Sequence, residues 1–135
     1  MTASQNKALM QRIFDRLAEG DGTLYVQHLS DAATMTVTGD YSWSRSFHGK
    51  ASILADLYGH VRSVTTGPSR TIAERFIAEG DWVVVQARGE MTARDGTPYR
   101  NQYCLMYRLE DGMIVEAREY QDSALCERVL GPYPA

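Results

Sequence analysis

The chain has 135 residues, a length that suits a single domain with one hydrophobic core, so we expect one domain over residues 1–135. Its composition, 44% hydrophobic and 23% charged, is that of a globular protein and excludes a disordered chain. The net charge is −3 and the basic residues are scattered, so we expect no nucleic-acid partner. The sequence shows neither a membrane-length apolar run nor a signal-peptide pattern, so we expect a cytoplasmic protein without a membrane partner.

The first half of the chain predicts three helices and a strand. Apolar residues at helical spacing predict a helix from Ser4 to about Glu19, and a short second helix is predicted from Thr23 to Leu29. The β-branched run TMTVT at 34–38 then favours a strand. Residues 39–49, GDYSWSRSFHG, show neither the helical nor the strand spacing of apolar residues and predict a loop that can close over a bound molecule. A third helix is predicted from Lys50 to about Arg62, where Thr-Thr-Gly-Pro ends it.

The second half predicts an antiparallel meander followed by a helical turn over Ser123 to Leu130. Gly80 and two Asp-Gly pairs, at 95–96 and 111–112, mark the turns between neighbouring strands. The sequence therefore predicts an α+β domain in which helices cover one face of a twisted sheet, and a sheet that curls would enclose a cone. The predicted strands are Arg70 to Ala78, Trp82 to Ala93, Tyr99 to Leu109 and Met113 to Gln121.

Charged residues in two of these strands are the first candidates for a site. Alternation places Arg88 and Glu90 on one face of their strand, where they can pair. In the last strand Glu119 points to one face, and Tyr120 and Asp122 point to the other. Which of these faces is shared with Arg88 and Glu90 depends on the hairpin register. Two carboxylates and one guanidinium in a cavity suit general acid–base chemistry, whereas a structural ion pair is the alternative reading.

Other candidates are polar or aromatic residues with two possible roles. Asn101 and Tyr103 alternate on the central strand, where they either form a hydrogen-bonded sheet surface or orient a substrate. Trp43 and Phe47 lie in the predicted loop and are candidates for the wall of a pocket. The two cysteines and three histidines show no metal-ligand spacing, so we expect reduced thiols and no metal.

The order of the elements, the segment FHGKASI at the third helix and the ending NQYCLMYRLEDGMIVEAREYQD carry a resemblance to a known family. Over nearly its whole length the chain resembles the SnoaL-like and ketosteroid-isomerase-like proteins of the nuclear transport factor two superfamily. The resemblance implies a cystatin-like fold, a cone-shaped curved antiparallel sheet covered on its concave face by the N-terminal helices, and a homodimer. Members include isomerases, cyclases, hydrolases, dehydratases and binding domains, so the resemblance indicates fold more than chemistry.

Limonene-epoxide hydrolase, a member of that superfamily, has Arg-x-Asp on one strand and Arg-Asp-Tyr-x-Asp on the last. This chain is similar to it at 88–90, Arg-Gly-Glu, and at 118–122, Arg-Glu-Tyr-Gln-Asp. The resemblance implies that Glu119 and Glu90 are the catalytic carboxylates and that Arg88 bridges them. It also places Glu119 where polyketide cyclases have their acid–base residue. If the chain is an enzyme, we expect Asn101, Tyr103 and Tyr120 to orient the substrate or water.

Two hypotheses follow. The first is a cofactor-independent enzyme of isomerase, cyclase or epoxide-hydrolase type that acts on a small, largely apolar molecule with a carbonyl or epoxide oxygen. The second is a non-catalytic domain of the same fold that binds a hydrophobic ligand or serves assembly. In the second case Arg88 and Glu90 only satisfy each other within the sheet, and Arg88→Met would destabilise the fold.

Overall fold

A computed structural model describes all 135 residues and shows helices packed on one face of a strongly curled sheet. The first helix begins at Ala3, one residue before the predicted Ser4, and is capped by Thr2. The Thr2 hydroxyl accepts from the Gln5 backbone N–H, and the Gln5 side chain accepts from the Thr2 N–H. The helices are α1 (Ala3–Leu17), α2 (Thr23–His28), α3 (Lys50–Ser52), a π-helical segment (Ile53–Tyr58), α4 (Gly59–Val64) and α5 (Ser123–Leu130).

The four predicted meander strands are all present, and the sheet contains three further strands. The predicted loop at 39–49 is wrong in part, because Arg45–His48 forms an edge strand. The strand predicted at 34–38 is longer and pairs in parallel with the last strand, the one exception to the expected antiparallel pattern. The strands are β1 (Leu29–Val37), β2 (Arg45–His48), β3 (Thr65–Glu79), β4 (Trp82–Ala93), β5 (Pro98–Tyr99), β6 (Gln102–Glu110) and β7 (Met113–Gln121), in the order β2-β1-β7-β6-β4-β3 with β5 beside β4.

Register shifts help to bend this sheet. In β3 the pairing with β4 shifts between Thr66 and Arg70 and again between Ala73 and Arg75. The Gly-Pro pair that predicted a break lies inside the first shift, so β3 starts five residues before the predicted Arg70. The β6–β7 pairing shifts near Leu109. The curl turns one face of the sheet inward, where the helices cover it.

The hydrophobic core lies between the inner face and the helices. Alternate residues of β4 and β6 point inward and are buried, including Val83, Val85 and Leu105. On α1, Ile13 and Phe14 are completely or almost completely buried against them. No helix has both the length and the apolar character needed to cross a bilayer.

Candidate active site

A cavity of about 670 Å³ lies between the concave face of the sheet and the helices. Sixteen of its 28 lining residues are hydrophobic, so a bound molecule would contact mainly apolar surface. Its lining also contains five tyrosine side chains and one carboxyl group. The aromatic and acidic members used below are Phe14, Tyr25, Trp43, Tyr58, Tyr99, Tyr103, Tyr107 and Glu119.

Glu119 projects into this cavity because of its register in β7. It pairs with Val37 of β1 and Leu105 of β6, and both of those residues are buried on the inner face. Its carboxyl group forms no hydrogen bond or ion pair with the protein, and it keeps partial solvent exposure through the cavity. Removal of water by the surrounding protein raises the pKa of Glu119 from 4.5 to about 7. Both the acid and the carboxylate are therefore populated at neutral pH.

A pair of tyrosine hydroxyls shares the cavity with Glu119. The hydroxyls of Tyr25 in α2 and Tyr58 in the π-helical segment lie 3.0 Å apart. Their rings meet edge to face with centroids 6.0 Å apart, and Tyr107 packs on Tyr25 in the same manner. Burial raises the pKa of Tyr25 to about 12 and raises the pKa of Tyr58 well above its usual value, and the charge of Glu119 adds to both shifts. Both hydroxyls therefore keep their protons at neutral pH and can donate hydrogen bonds.

The π-helical segment contributes three residues to the site. Leu54, Leu57 and Tyr58 all line the cavity. They are three and four positions apart, so they lie on one side of the segment. One short helical segment thus supplies both apolar wall and the Tyr58 hydroxyl.

The expected partnership of Glu119 with Arg88 and Glu90 is wrong. Arg88 and Glu90 pair with each other at 2.5 Å on the outer face of β4, with side chains 45% and 39% exposed. Glu119 in β7 pairs with Leu105 in β6, and Leu105 pairs with Val85 in β4. Odd-numbered residues of β4 such as Val85 point to the inner face, whereas the even-numbered Arg88 and Glu90 point to the outer face. The hydrogen bond from Arg88 lowers the pKa of Glu90, so that carboxyl stays ionised. Neither residue lines the cavity.

Tyr120 and Asp122 do not enter the cavity either. Tyr120 pairs with Cys104, points to the same outer face as Arg88 and is 42% exposed. The Asp122 carboxylate accepts from the Leu125 backbone N–H at 3.0 Å and caps α5. Of the two hairpin registers left open by the sequence, the structure has the one in which Tyr120, and not Glu119, shares a sheet face with Arg88. That shared face is the outer one.

Asn101 is fully buried in the sheet and lies outside the cavity lining. Its amide nitrogen donates to the Tyr99 hydroxyl at 2.8 Å and to the Asp122 carbonyl at 3.0 Å. Its side-chain oxygen accepts from the Gln102 and Asp122 backbone N–H groups. Asn101 thus joins the interruption between β5 and β6 to the end of β7, whereas the sequence placed it within the central strand.

Three of the aromatic candidates are buried, and two of them line the cavity. Tyr103 and Trp43 contribute to its wall, and the Trp43 indole N–H donates to the Gly131 carbonyl at 2.9 Å. Phe47 lies outside the lining and packs against Tyr133 with ring centroids 6.1 Å apart. Gly89 faces Tyr103, and a Cβ at that position would come within 3.0 Å of the Tyr103 ring. The glycine therefore leaves room for the tyrosine on the inner face.

Sequence reasoning missed the tyrosine pair and Gln121. Gln121 lines the cavity, and its amide donates to the Tyr41 hydroxyl at 2.7 Å. Tyr25 and Tyr58 lie on helix faces that also carry leucines, and a buried tyrosine hydroxyl needs a partner. That requirement is the available signal, but it does not identify the partner, which is 33 residues away.

Comparison with known proteins agrees with this architecture. The model of the SnoaL-like domain family matches residues 10–117. No curated protein sequence matches the chain significantly. Among solved structures, an NTF2-like protein of unknown function from Burkholderia pseudomallei is similar, with a TM-score of 0.79, 20% identity and coverage of 96% of this chain and 98% of that chain.

Two further structures carry functional descriptions. A putative SnoaL-like polyketide cyclase from Jannaschia sp. has a TM-score of 0.76 and 18% identity, covering 98% of this chain and 95% of that chain. A putative isomerase from Bacillus subtilis has a TM-score of 0.74 and 17% identity, covering 97% of this chain and 96% of that chain. At these identities the likeness concerns the fold alone. The family match over residues 10–117 and the curled sheet under its helices together show that this chain belongs to the SnoaL-like domain family.

Proposed function

We propose that this chain is a cofactor-independent enzyme that transfers a proton on a small, largely apolar substrate containing a carbonyl oxygen. Glu119 is the proton-transfer group, and the Tyr25–Tyr58 pair donates a hydrogen bond to the substrate oxygen. The observation that carries the proposal is an unpaired carboxyl with a pKa of about 7 in a mainly apolar cavity. A general base works best when its pKa lies near the working pH.

The chemistry follows from the two kinds of group. Ionised Glu119 removes a proton from a carbon next to the carbonyl, and the electron pair moves to the carbonyl oxygen. A tyrosine hydroxyl stabilises the resulting oxyanion, and the raised pKa of Tyr25 and Tyr58 keeps that donor protonated. Return of the proton from Glu119 to another carbon completes an isomerisation. Attack of the carbanion on a second carbonyl carbon instead closes a ring and forms an alkoxide, which takes the proton from Glu119.

This proposal favours an isomerase or a cyclase over an epoxide hydrolase. Epoxide hydrolysis by two carboxylates needs one group to activate water and another to protonate the opening ring. Glu90 lies on the outer face in a pair with Arg88, so the cavity has Glu119 as its one carboxyl. The descriptions of two structural neighbours, a putative polyketide cyclase and a putative isomerase, agree with this preference.

The Kemp elimination of 5-nitrobenzisoxazole tests the proposed base without knowledge of the natural substrate. A base removes the ring C–H proton, the N–O bond breaks, and a nitrile and a coloured phenolate form. We expect kcat/KM to rise with pH around a midpoint near 7, as Glu119 ionises. Glu119→Gln should reduce the rate by about 100-fold or more, within the range of general base catalysis.

Glu90→Gln is the matched control, because it makes the same chemical change at the outer carboxylate. We expect this variant to keep the wild-type rate and pH profile. Equal losses in the two variants, or a rate unaffected by Glu119→Gln, would refute the assignment of Glu119 as the base.

A non-catalytic binding domain is the second candidate, and one observation favours it. Most of the cavity wall is apolar, which suits binding of an apolar molecule whether or not a reaction follows. Such a domain would bind apolar molecules yet leave the Kemp elimination at the rate of a free carboxylate. Binding of an apolar dye together with an undetectable enzymatic rate would therefore select this function over the first.

A further inference from the structure

The mouth of the cavity differs in charge from its interior. It is formed by the turn after α1, the end of α4 and the start of β3. Among the 28 lining residues the charged ones are Glu119 inside and two arginines, Arg62 and Arg94. Both arginines are exposed to solvent while they line the cavity, which places them at its opening. The side chains that line the opening therefore include two positive charges and no carboxylate, and Asp21, between the lining residues Gly20 and Gly22, pairs with Arg16 at 3.9 Å.

Arg94 is held in place by the end of α4. Its Nε donates to the Ser63 carbonyl at 2.6 Å, and its Nη2 approaches the Arg62 carbonyl at 3.5 Å. Its backbone N–H donates to the Val64 carbonyl at 3.2 Å. These carbonyls belong to the last turn of a helix, where they lack partners within the helix. Arg94 uses its side chain to satisfy them and still has N–H groups free.

Arg62, in contrast to Arg94, is not held in place by other groups of the protein. Its side chain makes no hydrogen bond and no ion pair with the protein, and it lies beside Gly59 on α4. A guanidinium at the entrance to an apolar cavity repels a cationic ligand and attracts an anionic one. Two of them, one fixed and one free to turn, can bind one anionic group from two sides.

We infer that the cavity takes an amphiphilic anion, with the apolar body inside and a carboxylate at the mouth between Arg62 and Arg94. This inference rests on the proposed function, because it assumes that the cavity is the substrate site. It narrows the substrate class from apolar carbonyl compounds to those that also carry a carboxylate. Within that class, a keto acid would reach Glu119 with its ketone end while its anionic end stays at the opening.

Two dyes with the same ring system test the inference. 1-Anilinonaphthalene-8-sulfonate carries one negative charge, whereas N-phenyl-1-naphthylamine is neutral, and both become fluorescent in an apolar site. We expect wild-type protein to bind the anionic dye about 10-fold more tightly at low salt, with the advantage shrinking as salt screens the arginines. The neutral dye should show no such dependence on salt.

Arg62→Met removes the free guanidinium without breaking a protein contact, and adding Arg94→Met removes the second. We expect the single variant to weaken binding of the anionic dye by a few-fold and the double variant to abolish its advantage, as expected for exposed charge contacts. Both should leave the neutral dye unchanged. Arg88→Met, which removes an arginine from the outer face, is the control and should change neither affinity.

Equal affinity of wild-type protein for the two dyes, or equal loss of both in Arg62→Met, would overturn the inference. Under either outcome, binding of the neutral dye to wild-type protein would leave the proposed function intact, because it shows that the cavity accepts apolar molecules. The Kemp elimination tests Glu119 independently of either dye. Failure of the anion site and failure of the base are therefore separate results.

Discussion

Replacing Glu119 with Gln should stabilise the folded chain at alkaline pH and not at acidic pH. The folded state raises the pKa of this carboxyl from 4.5 to about 7 because protein surrounds it. Between these two values the folded chain keeps a proton that the unfolded chain releases. Stability therefore falls as pH rises through this window, and it is greatest, as far as Glu119 is concerned, below pH 4.5.

The magnitude follows from the size of the pKa change. A rise of about 2.5 corresponds to about 3 kcal/mol of stability lost by pH 8, at about 1.4 kcal/mol per unit. At pH 5 the loss is about 1 kcal/mol, because the unfolded-state carboxyl is already mostly ionised there. A Gln side chain has nearly the same shape as Glu but carries no charge at any pH. The advantage of Glu119→Gln over wild type should therefore grow by about 2.5 kcal/mol between pH 5 and pH 8.

Urea unfolding followed by tryptophan fluorescence at several pH values measures this difference. Subtracting wild type from variant removes the groups common to both, including Glu90, whose pKa is lowered and whose pH dependence has the opposite sign. Glu90→Gln is the control and should show no stabilisation at pH 8. A constant difference between Glu119→Gln and wild type from pH 5 to pH 8 would refute the burial argument.

Four further predictions concern the cavity, the packing of the sheet and the oligomeric state. Tyr58→Phe removes one hydroxyl of the pair with Tyr25 and should slow the Kemp elimination by about 10-fold or more, at a cost of about 1 kcal/mol in stability because the Tyr25 hydroxyl loses its partner. Gly89→Ala should cost about 1–3 kcal/mol in urea unfolding, because the new methyl group collides with the Tyr103 ring. Asn101→Ala should cost about 3 kcal/mol or more by the same measurement, because buried backbone groups lose their partners. The homodimer expected from the sequence stays a prediction, and sedimentation velocity should give twice the mass of the chain.

Much of the fold was predictable because its signals are local. Turn residues between alternating segments predicted the four strands of the meander, and the helix positions agree to within a few residues. The edge strand Arg45–His48 was missed because its Arg, Ser and His residues show no apolar alternation. It forms by pairing with β1, where the Thr36 and Ser46 hydroxyls also meet at 2.9 Å. Such pairing is a tertiary effect that a single segment does not reveal.

The candidate site was predictable only in part, because faces of a strand depend on register. The structure places Glu119 in the cavity, as expected, and puts Arg88 and Glu90 on the opposite side of the sheet. The resemblance matched these residues by motif, and a displacement of one residue in a strand reverses the face. The pair of Tyr25 and Tyr58 depends on two helical segments meeting in space, so no local pattern could predict it.

The proposed chemistry requires that the Glu119 carboxyl keeps its proton to near neutral pH. The most direct test is a pH titration of the side-chain carboxyl carbons by NMR in protein labelled with ¹³C-glutamate, with Glu119→Gln used to assign the signal. We expect one glutamate resonance with a midpoint near 7 that is absent from the variant. If every glutamate resonance titrates below about pH 5.5, the range of unperturbed carboxyls, Glu119 is an ordinary ionised carboxylate at neutral pH and is not the proposed proton-transfer group.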